Sequence, residues 1–425
     1  MLQINDPSDF IPSTTTSLII NSSETIQVPD HISDLTYSGY YDRQESHLGC
    51  DNIRNLKFPT FFSDILNRNY LPKNLESLNM GFYYNHPLDQ QSLPENLISL
   101  TQSFEYNHKL DRTILPKNLK ELCMGGKYNH MFDNHTFPES LEKLSLSLTY
   151  NHPIKSGHFP GTLTDLDMGC IYDIKLDADS LPKSIVKLRL SYHYNHQLHM
   201  SIFPDTLREL NMGYAYSHEL EETTLPDFLE ILRLSGKYSY PIRNNVLPKN
   251  LLELDLGVEY NHELNSDSLP NSLEKLVLSV RYDHELAADA IPTTLNNIML
   301  GRDYNRPIDF DSLPKSLDFF QFNADYKQQI NNIPDNIKFL ALPHSFEFAC
   351  DKYLPKNLII RNINHLKHLD STFSVILEES LDATDDVSAI TFPILYPANM
   401  GYSAPFYEQG RTIIDSKEYM ILSVQ

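Results

Sequence analysis

The chain has 425 residues, with 34 Lys and Arg against 56 Asp and Glu, a formal net charge of −22. That surplus of acid, with no basic block along the chain, argues against counterion-release binding to nucleic acid and against anionic membrane surfaces. Hydrophobic content of 41%, with 25 Tyr and 21 Phe, supplies core material and excludes disorder for most of the chain.

From the amino terminus, Met1 to Pro7 show neither the basic nor the apolar region of a secretory leader, and residues 1–27 are expected to form a cap. No apolar run approaches the length of a membrane span. Cys50, Cys123, Cys170 and Cys350 lie far apart and are expected to be free thiols in a reducing, cytoplasmic setting.

A repeat then takes over. Prolines fall at 72, 94, 116, 138, 160, 182, 204, 226, 248, 270, 292 and 314, twelve in succession at a spacing of 22. With each proline as position 0, an apolar residue precedes it, Leu or Ile stands at +3, and +6, +8 and +16 are apolar with one exception, Gln102. Position +12 is Tyr in all twelve copies, from Tyr84 to Tyr326. Looser copies begin at Pro29, Cys50, Pro334 and Pro355, so the array is expected to span 28–364.

The alternation around +6 and +8 is the one stretch of period two, and predicts a single brief strand per coil near +5 to +9, stacked in parallel on its neighbours. Proline at 0, a small polar residue at +2 in eleven copies (Phe228 is the exception) and Asn or Asp at +13 in most argue against a long helix on the return. That path is expected to be irregular, extended or a short turn of 3₁₀. One coil cannot bury its own apolar face, so stability must come from stacking. The expected fold is a leucine-rich-repeat-like solenoid with its parallel sheet on the concave face. A parallel β-helix would need two or three alternating stretches per turn, and each coil offers one. The tyrosine column reads as a core ladder, since recurrence in every coil points to architecture.

The phrases Leu71-Pro72-Lys73-Asn74-Leu75-Glu76-Ser77-Leu78-Asn79-Met80-Gly81 and Tyr84-Asn85-His86-Pro87-Leu88 resemble FNIP repeats, a leucine-rich-repeat-like family known mainly from social amoebae and giant viruses of amoebae. The chain departs from the family motif in taking Tyr for Phe, often His for Ile, and Pro at the fourth position only at 87, 153, 241 and 307. The resemblance implies a repeat solenoid, with the host cytoplasm as location if the chain is viral. Some FNIP proteins carry an amino-terminal F-box that links them to ubiquitin ligases; with few residues before the first repeat-like turns, none is expected in this sequence.

Two columns single out a candidate surface. Position +9 alternates Gly and Ser from Gly81 to Gly301, so the working unit is a pair of coils. At +5, which should point out of the sheet, the series reads Glu121, Lys143, Asp165, Lys187, Glu209, Ile231, Glu253, Lys275, and at +7 Asp167, Arg189, Asn211, Arg233, Asp255. Neighbouring strands lie about 4.8 Å apart, close enough for lateral ion pairs. Such a ladder avoids like-charge repulsion, and it can also form a zwitterionic groove that selects a protein partner.

Eight histidines occupy +14, and His193, His196 and His199 form the most metal-like cluster, an HxxHxxH. Zinc needs convergent ligands, which a column of parallel side chains does not supply, so no metal or other cofactor is expected. The +13 amides and carboxylates are expected to bond the backbone of an adjacent turn. Motifs for hydrolases, nucleotide binding and zinc proteases are missing, and Cys350 with His365 or His368 is too sparse a pair for nucleophilic chemistry. After Asn364 the phase is lost, and 365–425 is expected to be a cap or small appended module. The expected function is a non-catalytic module that binds a protein partner on its concave face. A virion-associated structural role and substrate recruitment for a ubiquitin ligase are the alternatives.

Overall fold

Each regular coil opens with a turn set by its proline. In the computed structural model the N–H of +3 donates to the proline carbonyl at 3.0–3.3 Å in all twelve copies; the fixed φ of proline favours this geometry and its missing N–H is not needed there. The small polar residue at +2 is explained by what it reaches. Asn118 Nδ2 donates to the Glu95 carbonyl (3.3 Å), Ser140 Oγ to that of Leu119 (2.7 Å), and Thr162 Oγ1 lies 2.8 Å from those of Glu139 and Leu141. These groups tie one coil to the coil before it. Phe228, which lacks a polar side chain at this position, is 52% exposed.

The structure describes residues 2–6, 8–21, 26–38, 51–66, 70–346, 354–355, 357–360, 374–377 and 422–423. They fall in two compact units, Met1–Gly213 and Tyr214–Gln425. Eleven short strands make the sheet of the first: β1 (Leu2–Ile4), β2 (Ser17–Ile20), β3 (Asp34–Tyr37), β4 (Asn55–Lys57), β5 (Ser77–Asn79), β6 (Ser99–Thr101), β7 (Glu121–Cys123), β8 (Lys143–Ser145), β9 (Asp165–Asp167), β10 (Lys187–Arg189) and β11 (Glu209–Asn211). Every consecutive pair is parallel and joined in phase, so Leu122 faces Leu144, Leu144 faces Leu166 and Leu166 faces Leu188. β1 and β2 lie inside the segment expected to be a cap. They pair like the rest, from shorter coils, with Leu2 opposite Leu18 and Leu18 opposite Leu35.

The second unit holds β12 (Ile231–Arg233), β13 (Glu253–Asp255), β14 (Lys275–Val277), β15 (Asn297–Met299), β16 (Phe319–Gln321), β17 (Phe339–Ala341), β18 (Asn357–Ile360), β19 (Ser374–Leu377) and β20 (Leu422–Ser423). β12 to β19 are parallel, and β20 pairs antiparallel with β19. The strands run from +5 to +7, shorter than the expected reach to +9, because the backbone turns at +9. Return paths are turns with two 3₁₀ segments, Met200–Ile202 and Phe310–Ser312, and no α-helix among the described residues. Each unit is thus a leucine-rich-repeat-like parallel solenoid.

Six columns build the core. In the coil of Pro160 they are Phe159, Leu163, Leu166, Met168, Tyr172 and Leu176, none more than 6% exposed. The twelve tyrosines at +12 are the largest fully buried side chains. Their rings lie nearly parallel, as in Tyr150–Tyr172 (6.3 Å, 5°) and Tyr260–Tyr282 (6.4 Å, 1°). Four of the hydroxyls bond backbone inside the coil: the N–H groups of Leu110, Leu176 and Leu220 donate to Tyr128, Tyr194 and Tyr238 at 3.4 Å, and Tyr326 donates to the Arg306 carbonyl at 3.0 Å. Those of Tyr84, Tyr106, Tyr150, Tyr172, Tyr260, Tyr282 and Tyr304 are buried without a hydrogen-bond partner among the described residues. Burial pushes the tyrosine hydroxyls up, to about 12 for Tyr84, Tyr128, Tyr194, Tyr260 and Tyr326.

The alternation at +9 has a steric cause. A methyl group on Gly169 would stand 2.2 Å from the Ser147 carbonyl oxygen, and one on Gly257 2.4 Å from that of Ser235. Both glycines also adopt positive φ, 72° and 73°. Asp167 and Asp255, two residues earlier, accept their N–H groups at 2.9 Å. In the intervening coils the serine hydroxyl donates backward to a +12 carbonyl, Ser147 to Tyr128 and Ser279 to Tyr260. Asn323 replaces the next serine and keeps its function, donating to Gly301 and Tyr304 at 2.9 and 2.7 Å.

Candidate functional site

On every regular strand the +6 leucine or its equivalent turns inward, which leaves +5 and +7 facing out. The parallel register then sets the charged side chains of the first unit in two rows, Glu121, Lys143, Asp165, Lys187 and Glu209 in one and Asp167 and Arg189 in the other. Lys143 pairs with Glu121 at 2.6 Å, Lys187 with Glu209 at 3.4 Å and Arg189 with Asp167 at 3.5 Å. Both lysines turn toward the outer carboxylates, and Asp165, between them, accepts from the Thr164 hydroxyl at 2.7 Å. Burial pushes the Asp167 carboxyl up, opposed by Arg189 and the Gly169 N–H. Its side chain keeps 30% exposure, so water moderates that push.

In the second unit Glu253 and Lys275 pair at 3.2 Å, and Ile231 opens the row opposite Glu253. Arg233 stands opposite Asp255, whose carboxyl burial also pushes up, against the pull of the Gly257 N–H, Arg233 and Lys275. Beyond Lys275 the row turns uncharged: Asn297, Phe319, then Phe339, with the two phenyl rings 6.4 Å apart.

Ion pairs outside these columns escaped the sequence reading. Lys120–Glu142 (2.8 Å) and Lys338–Asp318 (2.9 Å) join +4 side chains of consecutive coils, as do Arg54 and Glu76, and Lys127–Glu105 (2.6 Å) joins +11. The signal was opposite charge at one coil's offset.

The +14 edge is occupied by structural bonds. Nε2 of His108, His130, His152 and His196 lies 2.9–3.0 Å from the +13 carbonyl one coil earlier. Eight of the +13 side chains accept the next +13 N–H, as Asn85 does from Asn107 and Asp173 from Asn195, both at 3.1 Å. The HxxHxxH residues go separate ways: His193 packs edge-on against Tyr192, His196 approaches Asp173, and His199 caps the 3₁₀ turn through Ser201. Among the described residues no group of three His, Cys, Asp or Glu could hold a metal ion. Cys123 and Cys170 are free thiols, while Cys50, Cys350, His365 and His368 lie outside the described residues. No helix among the described residues is long and apolar enough to cross a membrane.

No curated protein matches the chain. Among solved structures it is similar to CroV588, a circular LRR protein from a giant virus, at 22% identity and a TM-score of 0.58, covering 87% of this chain and 67% of that one. It is also similar to the TLR13 chain solved with ssRNA13, at 18% identity and a TM-score of 0.50, covering 86% of this chain and 61% of that one. Both likenesses are of fold. The family model described as FNIP Repeat matches residues 84–127, 128–171, 172–215, 216–258, 260–303 and 304–345, blocks that each begin at or beside a column tyrosine and hold a pair of coils. These matches cover more than half of the sequence, and the chain belongs to the FNIP-repeat family.

Proposed function

We propose that the chain is a non-catalytic scaffold that binds a protein partner through the outward charges of its sheet. The residues proposed are Glu121, Lys143, Asp165, Asp167, Lys187, Arg189 and Glu209 on the first unit and, separately, Arg233, Glu253, Asp255 and Lys275 on the second. One observation carries this reading. The +5 side chains hold opposite charges in a fixed row and stay accessible, with Lys143 and Lys187 43% and 58% exposed. A rigid row of alternating sign restricts partners by complementarity more than it adds affinity. The expectation that nucleic acid is not the partner rests on the −22 charge alone, since TLR13, a chain of similar fold, was solved with an RNA.

The test separates recognition from ladder stability. Lys143→Glu with Lys187→Glu makes the row acidic throughout, and adding Glu121→Lys, Asp165→Lys and Glu209→Lys restores opposite neighbours with polarity inverted. Partners captured from the native cell by the wild-type chain should be lost with both variants. If the fully inverted row retains them, the charges serve the ladder only.

A further inference from the structure

Four aromatic side chains cluster on one edge of the first unit. Counting Phe61 from Cys50, Phe61 and Tyr83 occupy +11 of successive coils, and Phe82 and Phe104 occupy +10. The Phe61 and Tyr83 rings stack at 5.1 Å and 11°, Phe82 and Phe104 at 4.6 Å and 8°, and Tyr83 meets Phe82 edge-on at 4.8 Å. Phe104 packs against Gly126, where a methyl group would come within 2.3 Å of the ring. Phe61 and Tyr83 are 43% and 45% exposed. Later coils of the unit carry Lys127, Thr149, Ile171 and His193 at +11, so stacking does not require aromatic residues there. A contiguous exposed apolar patch that the architecture does not need marks an interaction surface.

Charge selects what the rings would hold. Glu105 follows Tyr83 in the same column, one coil on, paired with Lys127 at 2.6 Å. A cation resting on Tyr83 therefore lies about 5 Å from a carboxylate position. The net charge of −22 draws cationic segments and repels phosphodiesters, which disfavours base stacking on these rings. An arginine suits both parts, because its planar guanidinium stacks on aromatic faces while donating to a carboxylate. We propose that this edge is a docking site for an arginine-bearing segment of a partner protein, independent of the charged sheet face.

The test uses the full chain and a short labelled peptide of alternating Arg and Ser, with matched Lys–Ser and Gln–Ser peptides and a single-stranded oligonucleotide. The Arg–Ser peptide should bind more tightly than the others. Phe61→Ser and Tyr83→Ser should each weaken it about two- to fivefold, and Glu105→Gln about twofold, without lowering Tm. Should a serine variant lose Tm, Phe61→Leu and Tyr83→Leu keep apolar bulk without a π face and carry the same expectation. Equal binding of the Arg and Lys peptides, unchanged by the ring substitutions, would reduce the effect to net charge and overturn the proposal. Preference for the Gln–Ser peptide or the oligonucleotide would overturn it as well.

Discussion

The sheet rows on β7–β11 and on β15–β17 come from the same two positions of the same repeat, yet one is alternately charged and the other runs Asn297, Phe319, Phe339. The columns beneath them hardly differ: each unit keeps its prolines, its inward +6 residues and its buried +12 tyrosines. Side chains whose partners are the backbone of an adjoining coil are held by that geometry. Those at +5 meet neighbouring side chains and solvent and are free to diverge, as are the +7 residues outside the glycine coils, where Asp167 and Asp255 are held by a backbone N–H.

The largest test of the shared layer is alkaline pH. Tyrosines ionise near 10 in the unfolded chain, and burial pushes Tyr84, Tyr128, Tyr194, Tyr260 and Tyr326 up to about 12. Their stabilising contribution is fully present below pH 10 and is lost as pH rises toward 12, by about 1.4 kcal/mol per pH unit for each tyrosine that titrates only when unfolded. Both units should unfold in this window, with tyrosinate absorbance and loss of circular dichroism rising together; ionisation of a still-folded chain would contradict the buried column. Next in size, Tyr172→Ala and Tyr282→Ala should each cost about 3–5 kcal/mol in urea unfolding. A large disparity between them would break the equivalence of the two units.

Gly169→Ala and Gly257→Ala should cost about 1–3 kcal/mol each, from the carbonyl contact and the positive φ. Gly161→Ala, with open space around it, is the control and should leave thermal unfolding unchanged. A smaller effect belongs to His158 in the first unit, 8% exposed, whose Nδ1 accepts the Lys155 N–H at 3.3 Å. Burial, then Lys155, lowers its pKa, so the unfolded chain takes up the proton first. Stability should fall as pH drops below about 6.5, and His158→Gln should flatten that slope in melts between pH 7 and 5. Smallest of all, Lys143→Met should change stability by about 0–1 kcal/mol, as for other exposed pairs, and so should Phe339→Ser. A loss of several kcal/mol from Lys143→Met would move the charged row into the layer that holds the fold.

The shared layer was legible because each of its columns recurs at a spacing of 22, and the strand, the tyrosine ladder and the +13 amide bonds all follow from that period. The charged row was legible for the same reason. What periodic reading averages away are departures. Arg54–Glu76 and Lys120–Glu142 lie in a +4 column that opposite charges occupy only intermittently, the coils around β1 and β2 are shorter than 22, and the Phe61–Tyr83 stack interrupts a +11 column that holds Glu105, Lys127, Thr149 and Ile171 in the coils that follow. The +2 donors were visible as small polar residues, but their acceptors are main-chain carbonyls, which carry no sequence signal.

The glycine that leaves room for a serine carbonyl also constrains how such a protein can lengthen. Excising a lone coil would bring two like members of the alternation face to face, either crowding a β-carbon into an oxygen or leaving a +12 carbonyl without its serine hydroxyl. Excising two neighbours restores the match. Gain or loss by duplication is therefore expected in even steps, and relatives of different size should differ by multiples of the doubled segment.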